Sequence, residues 1–168
     1  YLDQILEGAG AAAREAGAAL LHIDLDRFKQ INDTLGHAAG DAMLVHAAEV
    51  LASNVRENDF VARIGGDEFV VFCRGDISER ALSTLADRII NRMREPVPYK
   101  GHMCRFGVSV GIAIEQGPDA DPTRLLVNAD IALYRAKSRG RSRHEFFTAE
   151  LQAEIVTTKR LADEILSG

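Results

Sequence analysis

Four carboxylate side chains stand at the ends of predicted strands, where they could hold a metal ion. Asp24 and Asp26 follow a long apolar run, and Asp67 and Glu68 follow a Gly-Gly pair. Side chains two apart on a strand project to one face, so neighbouring strands would bring three or four carboxylates together. Such like charges repel one another, and a hard divalent cation with oxygen ligands offsets the repulsion. Because Mg²⁺ prefers one or two carboxylates together with substrate phosphates, the cluster predicts a nucleoside triphosphate site. Carboxylates that are merely solvated are the alternative.

A group of basic side chains lies at the end of a predicted late helix: Lys137, Arg139, Arg141 and Arg143. Cations in a last helical turn complement the helix dipole, which is one interpretation of this patch. Beside a metal-binding carboxylate cluster, the same cations would suit a polyphosphate. The patterns alone leave both interpretations open.

The elements that must position these residues follow from apolar periodicity and from turn signals. Helical spacing over Tyr1–Gly17 predicts an amphipathic helix, and the apolar run Ala18–Asp24 predicts a buried central strand. The other predicted elements are, in order, helices over Asp26–Leu35 and Gly40–Val55, strands over Phe60–Ile64 and Glu68–Cys73, a helix from Glu79 to Arg94, a hairpin over Tyr99–Ile114, a helix from Pro122 to Gly140 and a short strand over His144–Phe147. This order predicts an α/β (α+β) domain with a mainly antiparallel central sheet flanked by helices.

Local signals fix several of these boundaries. Gly65 and Gly66 between two apolar runs predict a tight hairpin turn, because both glycines can take positive φ without the steric cost of a Cβ atom. Asp76 and Glu79 have the spacing of a capping box that opens a helix. The pair Asp121–Pro122 supplies an N-cap and a first helical residue.

The composition is typical of a globular domain. The chain has 168 residues, 46% of them hydrophobic and 27% charged, which is enough to bury a core without disulfides or a structural metal. Its net charge of -5 predicts no nucleic-acid partner. Cys73 and Cys104 lie far apart and outside any CxxC spacing, so we expect two buried, reduced thiols in a cytoplasmic protein. The sequence predicts no signal peptide and no membrane span among these residues.

Five ordered segments resemble one protein family. The string RIGGDEF, residues Arg63–Phe69, resembles the signature of the GGDEF domain family, the diguanylate cyclases. Four further stretches agree with it: DLDRFKQINDTLGHAAGD (24–41), RENDF (56–60), SVGIA (109–113) and ADIALYRAKSRGR (129–141). The resemblance implies a fold related to the palm of nucleotide polymerases and class III nucleotide cyclases. It also implies an enzyme that joins two GTP molecules into cyclic di-GMP with release of two pyrophosphates.

The resemblance gives the acidic residues separate roles. Asp24 and Asp67 would hold Mg²⁺ (or Mn²⁺), with the backbone carbonyl of Leu25 as a further ligand. Glu68 would be either an additional metal ligand or the group that helps to deprotonate the ribose 3′-hydroxyl. The catalytic set implied in this way is Asp67, Glu68, Lys137 and Arg141.

Residues for substrate binding are implied in the same way. Asn32 and Asp41 match the family's guanine-reading pair, since an amide and a carboxylate can meet the acceptor and donor groups of the purine. Gly65 and Gly66, without side chains, would let the hairpin backbone approach the nucleotide closely. The positions that match those lining the triphosphate are Phe28, Lys29, Lys137 and Arg141.

The histidines show no spacing typical of a metal site. His37 falls in the family's GH pair and is interpreted as structural. The other histidines are expected to be ordinary surface or core residues: His22, His46, His102 and His144.

A second site and a dimer are also implied. Arg56 and Asp59 match the family's RxxD inhibitory site, where the product cyclic di-GMP would bind, and an arginine can contact a guanine edge in bidentate fashion. A plain surface ion pair is the alternative for these two residues. Each domain of this family binds one GTP, so the resemblance implies that two domains face each other in a homodimer.

The two ends of the sequence depart from the family pattern. The family's opening DxLTGLxNR segment does not precede Tyr1, so residues 1–147 are expected to be an N-terminally truncated GGDEF domain. Residues 148–168 resemble the connector helix that leads into an EAL phosphodiesterase domain, which would make the parent protein a two-domain regulator.

Three functions follow as hypotheses. The first is an active diguanylate cyclase, which the undamaged RIGGDEF string favours. The second is a non-catalytic domain that binds GTP or cyclic di-GMP and regulates an attached EAL phosphodiesterase. The third is a cyclase with a mononucleotide product, which Asn32 and Asp41 as a guanine reader, together with the inhibitory-site match, disfavour.

Overall fold

The computed structural model describes residues 17–151 and residue 153. Its elements are, in order, β1 (Ala18–Asp26), α1 (Phe28–Leu35), α2 (His37–Asn54), β2 (Phe60–Arg63), β3 (Glu68–Cys73), α3 (Glu79–Met93), β4 (Val97–Tyr99), β5 (His102–Cys104), β6 (Gly107–Glu115), α4 (Pro122–Ser138) and β7 (His144–Phe146). The predicted helix over Tyr1–Gly17 and most of the predicted connector lie outside the described residues.

Five strands form a mainly antiparallel sheet, as the sequence predicts. Their order is β2-β3-β1-β6-β7, and only β7 runs parallel to its neighbour. The central strand β1 pairs with β3 on one side and with β6 along its whole length on the other. The sheet therefore places the end of β1 beside the start of β3, where the acidic residues lie.

The prediction of one hairpin over Tyr99–Ile114 is wrong. Strands β4 and β5 pair with each other in a separate two-stranded sheet. Lys100 and Gly101 close that hairpin with φ values of 44° and 82°, the backbone conformation that suits a two-residue β-turn. Strand β6 is a separate element because its nine residues find their partners in β1.

The two faces of the sheet carry different cores. The larger core lies on the face covered by α2 and α3 and includes Leu21 and Ile23 of β1. Helix α4 covers the other face, where Ala18 and Leu20 of β1 contribute to the smaller core. Because side chains alternate along a strand, the residues of β1 that follow Leu20 on the α4 side are the polar ones. One face of β1 thus changes from apolar to polar while the other stays apolar.

Gly111 lets α4 lie directly against the sheet. A Cβ atom at this position would overlap with the Ala129 carbonyl oxygen and the Leu133 nitrogen of α4. Because interiors are close-packed, any larger residue would force the helix away from the sheet. The distance between α4 and β1, and so the contact between their charged side chains, depends on this glycine.

The helix boundaries confirm one local signal and correct another. Asp121 caps α4 by accepting a 3.0 Å hydrogen bond from the Thr123 N–H, with Pro122 as the first helical residue. Helix α3 is capped by Ser78 rather than by the predicted Asp76, since the Ser78 Oγ accepts from the Ala81 N–H at 3.2 Å. Asp76 instead accepts from the Ser78 N–H at 3.1 Å, in a turn that precedes the helix.

Both cysteines are buried and free, as predicted. Burial, the largest cause, raises the pKa of the Cys73 thiol to about 12. Neither thiol is paired, so the fold rests on its two apolar cores. None of the helices in the described part of the chain is long and apolar enough to cross a membrane.

Candidate functional site

Three polar residues of β1 meet charged residues of α4 and of the loop after it. Strand β1 and helix α4 are in contact. The pairs between them follow the same order along both segments. The pairs are His22 with Asp130, Asp24 with Lys137, and Asp26 with Arg141. This row of contacts places two of the four predicted basic residues, Lys137 and Arg141, beside the predicted acidic ones, whereas Arg139 pairs with Glu145.

Asp24 and Asp67 come together where β1 passes the Gly-Gly turn. The Leu25 N–H donates a 3.0 Å hydrogen bond to the Asp67 carbonyl, which joins the two segments. Asp24 is 8% exposed, and its Oδ1 atom has no hydrogen-bond partner among the described residues. Burial, followed by the charge of Asp24, raises the pKa of Asp67 above its ordinary value. A carboxylate of β1 and one of the turn before β3 are thus held together at a cost that a bound cation would relieve.

The prediction that three or four carboxylates converge is wrong for the described residues. They contain no group of three or more His, Cys, Asp or Glu side chains placed to hold a metal. Asp26 is buried, accepts hydrogen bonds from the Ser109 hydroxyl at 2.9 Å and the Ser142 N–H at 3.1 Å, and so ties β6 to the loop after α4. Glu68 turns towards His22 and contacts its Nε2 atom at 3.1 Å. Only Asp24 and Asp67 remain as a facing pair.

Gly65 and Gly66 lie in the turn between β2 and β3, as predicted, but the turn does not use the positive φ that glycine allows. Neither Gly65 nor Gly66 has positive φ. The Arg63 guanidinium closes the turn instead, donating to the Gly65 carbonyl at 2.9 Å and to the Gly66 carbonyl at 2.8 Å. A Cβ at position 65 would lie 3.2 Å from Glu68 Oε2, a tight approach that requires a small shift of the Glu68 side chain. At Gly66 the surroundings are open, with no atom within 4 Å of a built Cβ.

The predicted guanine-reading residues lie at the junction of α1 and α2. The Asn32 side chain packs directly over Gly40, where a Cβ would overlap with Asn32 Oδ1. Asp41 follows Gly40 in α2 and is exposed. Gly36, with φ of 94°, reverses the chain between the two helices and donates to the Asn32 carbonyl at 2.9 Å. The fold therefore brings an amide and a carboxylate to adjacent positions.

Helix α1 presents an open N-terminus next to the carboxylate pair. Arg27 takes φ of 68° as the chain leaves β1, and no side chain caps the first turn in the described structure. Phe28 is half-buried against the larger core, while Lys29 is exposed. Free N–H groups at a helix start favour anions. This end of α1 could therefore contact a phosphate.

A cavity of about 300 Å³ opens beside Asp26 and is rich in arginine. Arg94 is held there by hydrogen bonds to Ser142 Oγ at 2.9 Å and to the Ser142 carbonyl at 3.0 Å. The charged residues that line the cavity are Asp26, Arg27, Arg94, Arg105 and Arg141. Four guanidinium groups around one buried carboxylate make the surface next to the carboxylate pair positive.

Arg56 and Asp59 lie at the other end of the β2–β3 hairpin, about 13 Å away along the strands. The Asp59 side chain is fully buried and accepts from Arg56 N at 3.0 Å and from Arg56 Nε at 3.2 Å. Burial opposes the charge of Arg56, but Asp59 outweighs it, so the pKa of Arg56 is raised. Because one partner is buried, this contact differs from a solvated surface ion pair. Asp59 orients Arg56, and the guanidinium remains accessible.

A second cavity, of about 330 Å³, lies on the accessible side of Arg56. Arg80 and Arg88 of α3 also line it, together with Asp76 and Ser78. Sequence reasoning did not identify either arginine as part of this group. Their spacing of eight residues on one helix could have indicated a shared face, but not that the face meets Arg56.

The comparisons with known proteins agree on one family. The family model described as diguanylate cyclase, GGDEF domain, matches residues 1–143. MucR of Pseudomonas aeruginosa, named a bifunctional diguanylate cyclase/cyclic di-GMP phosphodiesterase, is 40% identical over 166 residues, covering 98% of this chain and 24% of that protein. The chain spans about a fifth to a quarter of the length of such curated relatives.

Solved structures give the same result and confirm the predicted fold class. The GGDEF domain of TpbB (YfiN) from Pseudomonas aeruginosa has a TM-score of 0.80 at 39% identity, covering 88% of this chain and 93% of that one. The GGDEF domain of DgcB from Caulobacter crescentus, in complex with c-di-GMP, has a TM-score of 0.79 at 29% identity, covering 86% of this chain and 87% of that one. The chain therefore belongs to the GGDEF domain family of diguanylate cyclases.

Proposed function

We propose that this chain is a diguanylate cyclase that condenses two GTP molecules into cyclic di-GMP and releases two pyrophosphates. The observation that carries the proposal is the facing pair Asp24 and Asp67, in which a buried carboxylate oxygen has no partner among the described residues. Lys137 contacts the other oxygen of Asp24, and Arg141 contacts Asp26, two residues further along β1. This combination suits a metal-bound triphosphate better than a structural ion pair.

The carboxylate pair fits a magnesium ion. Mg²⁺ is bound through oxygen ligands and commonly through one or two carboxylates, with substrate phosphates completing its shell. Asp24 and Asp67 would supply those carboxylates, and the Leu25 carbonyl is the further protein ligand we propose. When bound, the ion supplies Lewis-acid polarisation of the α-phosphate. Mn²⁺ has similar ligand preferences and is expected to substitute for it.

The remaining side chains orient the substrate and balance its charge. Asn32 and Asp41 would bind the guanine edge, and a base without the matching groups would leave them unpaired. The start of α1, at Phe28 and Lys29, would meet the phosphates, while the glycines of the turn leave room for the nucleotide. Lys137 and Arg141 would neutralise charge on the departing pyrophosphate, and the neighbouring arginine-rich cavity extends that positive surface.

The reaction needs a second copy of the domain. The 3′-hydroxyl oxygen of one GTP attacks the α-phosphorus of the other, the bond to pyrophosphate breaks, and the hydroxyl proton is transferred to a base. Two such steps close the ring and release two pyrophosphates. Since each domain would hold one GTP, we propose that two chains face each other. We further propose that the product binds at Arg56, Arg80 and Arg88 and inhibits the dimer, because several guanidinium groups there share one cavity.

The test is product analysis with the chain dimerised through a fused coiled coil. GTP and Mg²⁺ are added, and nucleotides and pyrophosphate are resolved by chromatography. We expect cyclic di-GMP and pyrophosphate from the parent chain and neither from Asp67→Ala. The exposed carboxylate variant Asp119→Ala is the matched control and should behave like the parent. Unchanged GTP in the parent, with GTP binding retained, would support a regulatory binding domain for an attached phosphodiesterase, the context that MucR's printed name suggests.

A further inference from the structure

His22 is a buried histidine in the middle of the central strand. Only 4% of its surface is exposed, although the sequence suggests nothing more than an ordinary core or surface histidine. A buried polar ring is costly unless its nitrogen atoms find partners. His22 finds carboxylates on both sides, and one of them belongs to the GGDEF string itself.

Glu68 is held between the ring and the Gly-Gly turn. His22 Nε2 lies 3.1 Å from Glu68 Oε1, and since an ionised carboxylate only accepts hydrogen bonds, we assign the proton to Nε2. The other oxygen, Oε2, lies where a Cβ of residue 65 would approach to 3.2 Å. The carboxylate therefore has one oxygen anchored by the ring and the other facing the turn.

This anchoring fixes the direction in which the Glu68 side chain turns. Glu68 lies opposite Asp24 in the strand register, from where its side chain could turn towards either Asp24 or His22. It turns to His22, two residues before Asp24 on the same face of β1.

Asp130 of helix α4 lies on the opposite side of the ring. His22 Nδ1 lies 3.5 Å from Asp130 Oδ1, and the Asp130 side chain is 69% exposed. This separation is too long for a hydrogen bond, and Nδ1 has no such bond among the described residues. With the proton on Nε2, the Nδ1 atom carries a lone pair, so the Asp130 carboxylate does not attract it. The contact that orients the ring is therefore the one between Nε2 and Glu68.

We propose that His22 is a positioning residue for the reaction: it holds the Glu68 carboxylate beside the Asp24–Asp67 pair, where Glu68 accepts the proton of the attacking 3′-hydroxyl instead of acting as a third metal ligand. The inference rests on the proposed function. The proton passes from the hydroxyl oxygen to a Glu68 oxygen as the new phosphorus–oxygen bond forms, and it is then released to water. His22 does not exchange a proton with the substrate in this scheme.

The first test does not require turnover. Long-range ¹H–¹⁵N spectra of the ¹⁵N-labelled chain report the protonation of each imidazole nitrogen, and the His22 signals are identified by their loss in His22→Gln. We expect Nε2 to carry a proton and its signal to shift in Glu68→Ala. The exposed carboxylate variant Asp33→Ala should leave it unchanged. An Nε2 atom without a proton, or a signal that does not respond to Glu68→Ala, would overturn the proposal.

The second test separates positioning from packing. His22→Leu fills similar space without a donor, whereas His22→Gln keeps an N–H group. We expect kcat to fall between about 10-fold and 100-fold in His22→Leu, with the KM for GTP changed less than about threefold, and most of the rate to return in His22→Gln. His144→Gln, which alters a comparable histidine contact with Asp87 at 2.9 Å, is the control. Equal rates in the Leu and Gln variants would refute the positioning role. A parent chain without turnover refutes the proposed function. In that case the spectra alone test whether His22 Nε2 donates a hydrogen bond to Glu68.

Discussion

Magnesium should stabilise this fold through the facing carboxylates, even without nucleotide. Asp24 and Asp67 are held together in the folded chain and separate on unfolding. A cation that binds only the folded form adds RT ln(1 + [Mg²⁺]/Kd) to the free energy of unfolding. The variant Asp67→Asn keeps the size of the side chain but removes one of the two negative charges, and should abolish most of that stabilisation.

The size of the effect follows from two contributions. At ten times Kd, bound Mg²⁺ adds about 1.4 kcal/mol, which corresponds to a rise of about 3–6 °C in Tm for a domain of this size. Because the pKa of Asp67 is raised in the folded state, the free energy of unfolding falls as the pH rises from the ordinary aspartate pKa to the raised value, and this loss is complete at neutral pH. Asp67→Asn without metal should therefore be as stable as the parent or more stable, by up to about 1 kcal/mol, since Asp67 is partly exposed and water screens its charge.

Thermal unfolding followed by circular dichroism measures both contributions. Melts at pH 7.5 are recorded in EDTA and in a series of Mg²⁺ concentrations, for the parent, Asp67→Asn and the control Asp119→Asn. We expect the Tm of the parent and of the control to rise with the Mg²⁺ concentration. In EDTA the Tm of Asp67→Asn should be at least as high as that of the parent, and Mg²⁺ should raise it little. An equal Mg²⁺-dependent rise in Asp67→Asn and the parent would refute the assignment of the metal to this pair.

Three further predictions concern other parts of the chain. Gly40→Ala should displace the Asn32 side chain and so remove a hydrogen bond to the base. We expect the KM for GTP to rise about tenfold and the ratio of kcat/KM for GTP to that for ATP to fall. Steady-state kinetics with both nucleotides measures this ratio, and an unchanged ratio would contradict the prediction. Arg56→Ala should keep turnover but raise the cyclic di-GMP concentration for half inhibition by more than about tenfold, whereas the surface variant Arg124→Ala should not; inhibition curves that coincide would count against the second site. Cys73, with a pKa of about 12, should not react with a thiol reagent at pH 8 in the folded chain, because only about one thiol in ten thousand is ionised; a colorimetric thiol count before and after unfolding tests this, and rapid reaction of the folded chain would be the opposite result.

Much of the fold could be predicted because its signals are local. The apolar run after Gly17 gives β1, and Asp121 with Pro122 gives the start of α4, since capping and strand patterning act over a few residues. These signals also place the two acidic segments at strand ends, which is why the carboxylate pair could be anticipated.

The parts that could not be predicted depend on contacts between distant segments. No local sequence signal near β6 indicates that this strand pairs with β1 rather than with the preceding hairpin. The direction of the Glu68 side chain depends on a histidine 46 residues earlier. The Gly-Gly pair suggests positive φ from its sequence, yet neither glycine has it, and the contact that closes the turn is made by the Arg63 side chain on the two carbonyl groups. Such choices are made by tertiary packing, which overrides local preference.

A divalent ion bound with GTP between Asp24 and Asp67 is the central feature of the proposed site. Paramagnetic Mn²⁺ in place of Mg²⁺ locates that ion directly, because it broadens nearby amide signals in ¹H–¹⁵N spectra of the labelled chain with GTP present. The predicted result is that the signals of Leu25 and Asp67 disappear first, that those of Arg56 and Asp59 persist longest, and that excess Mg²⁺ restores all of them. Broadening that begins at Arg56 and Asp59, or that spreads evenly over the chain, would contradict the metal site and the GTP site built on it.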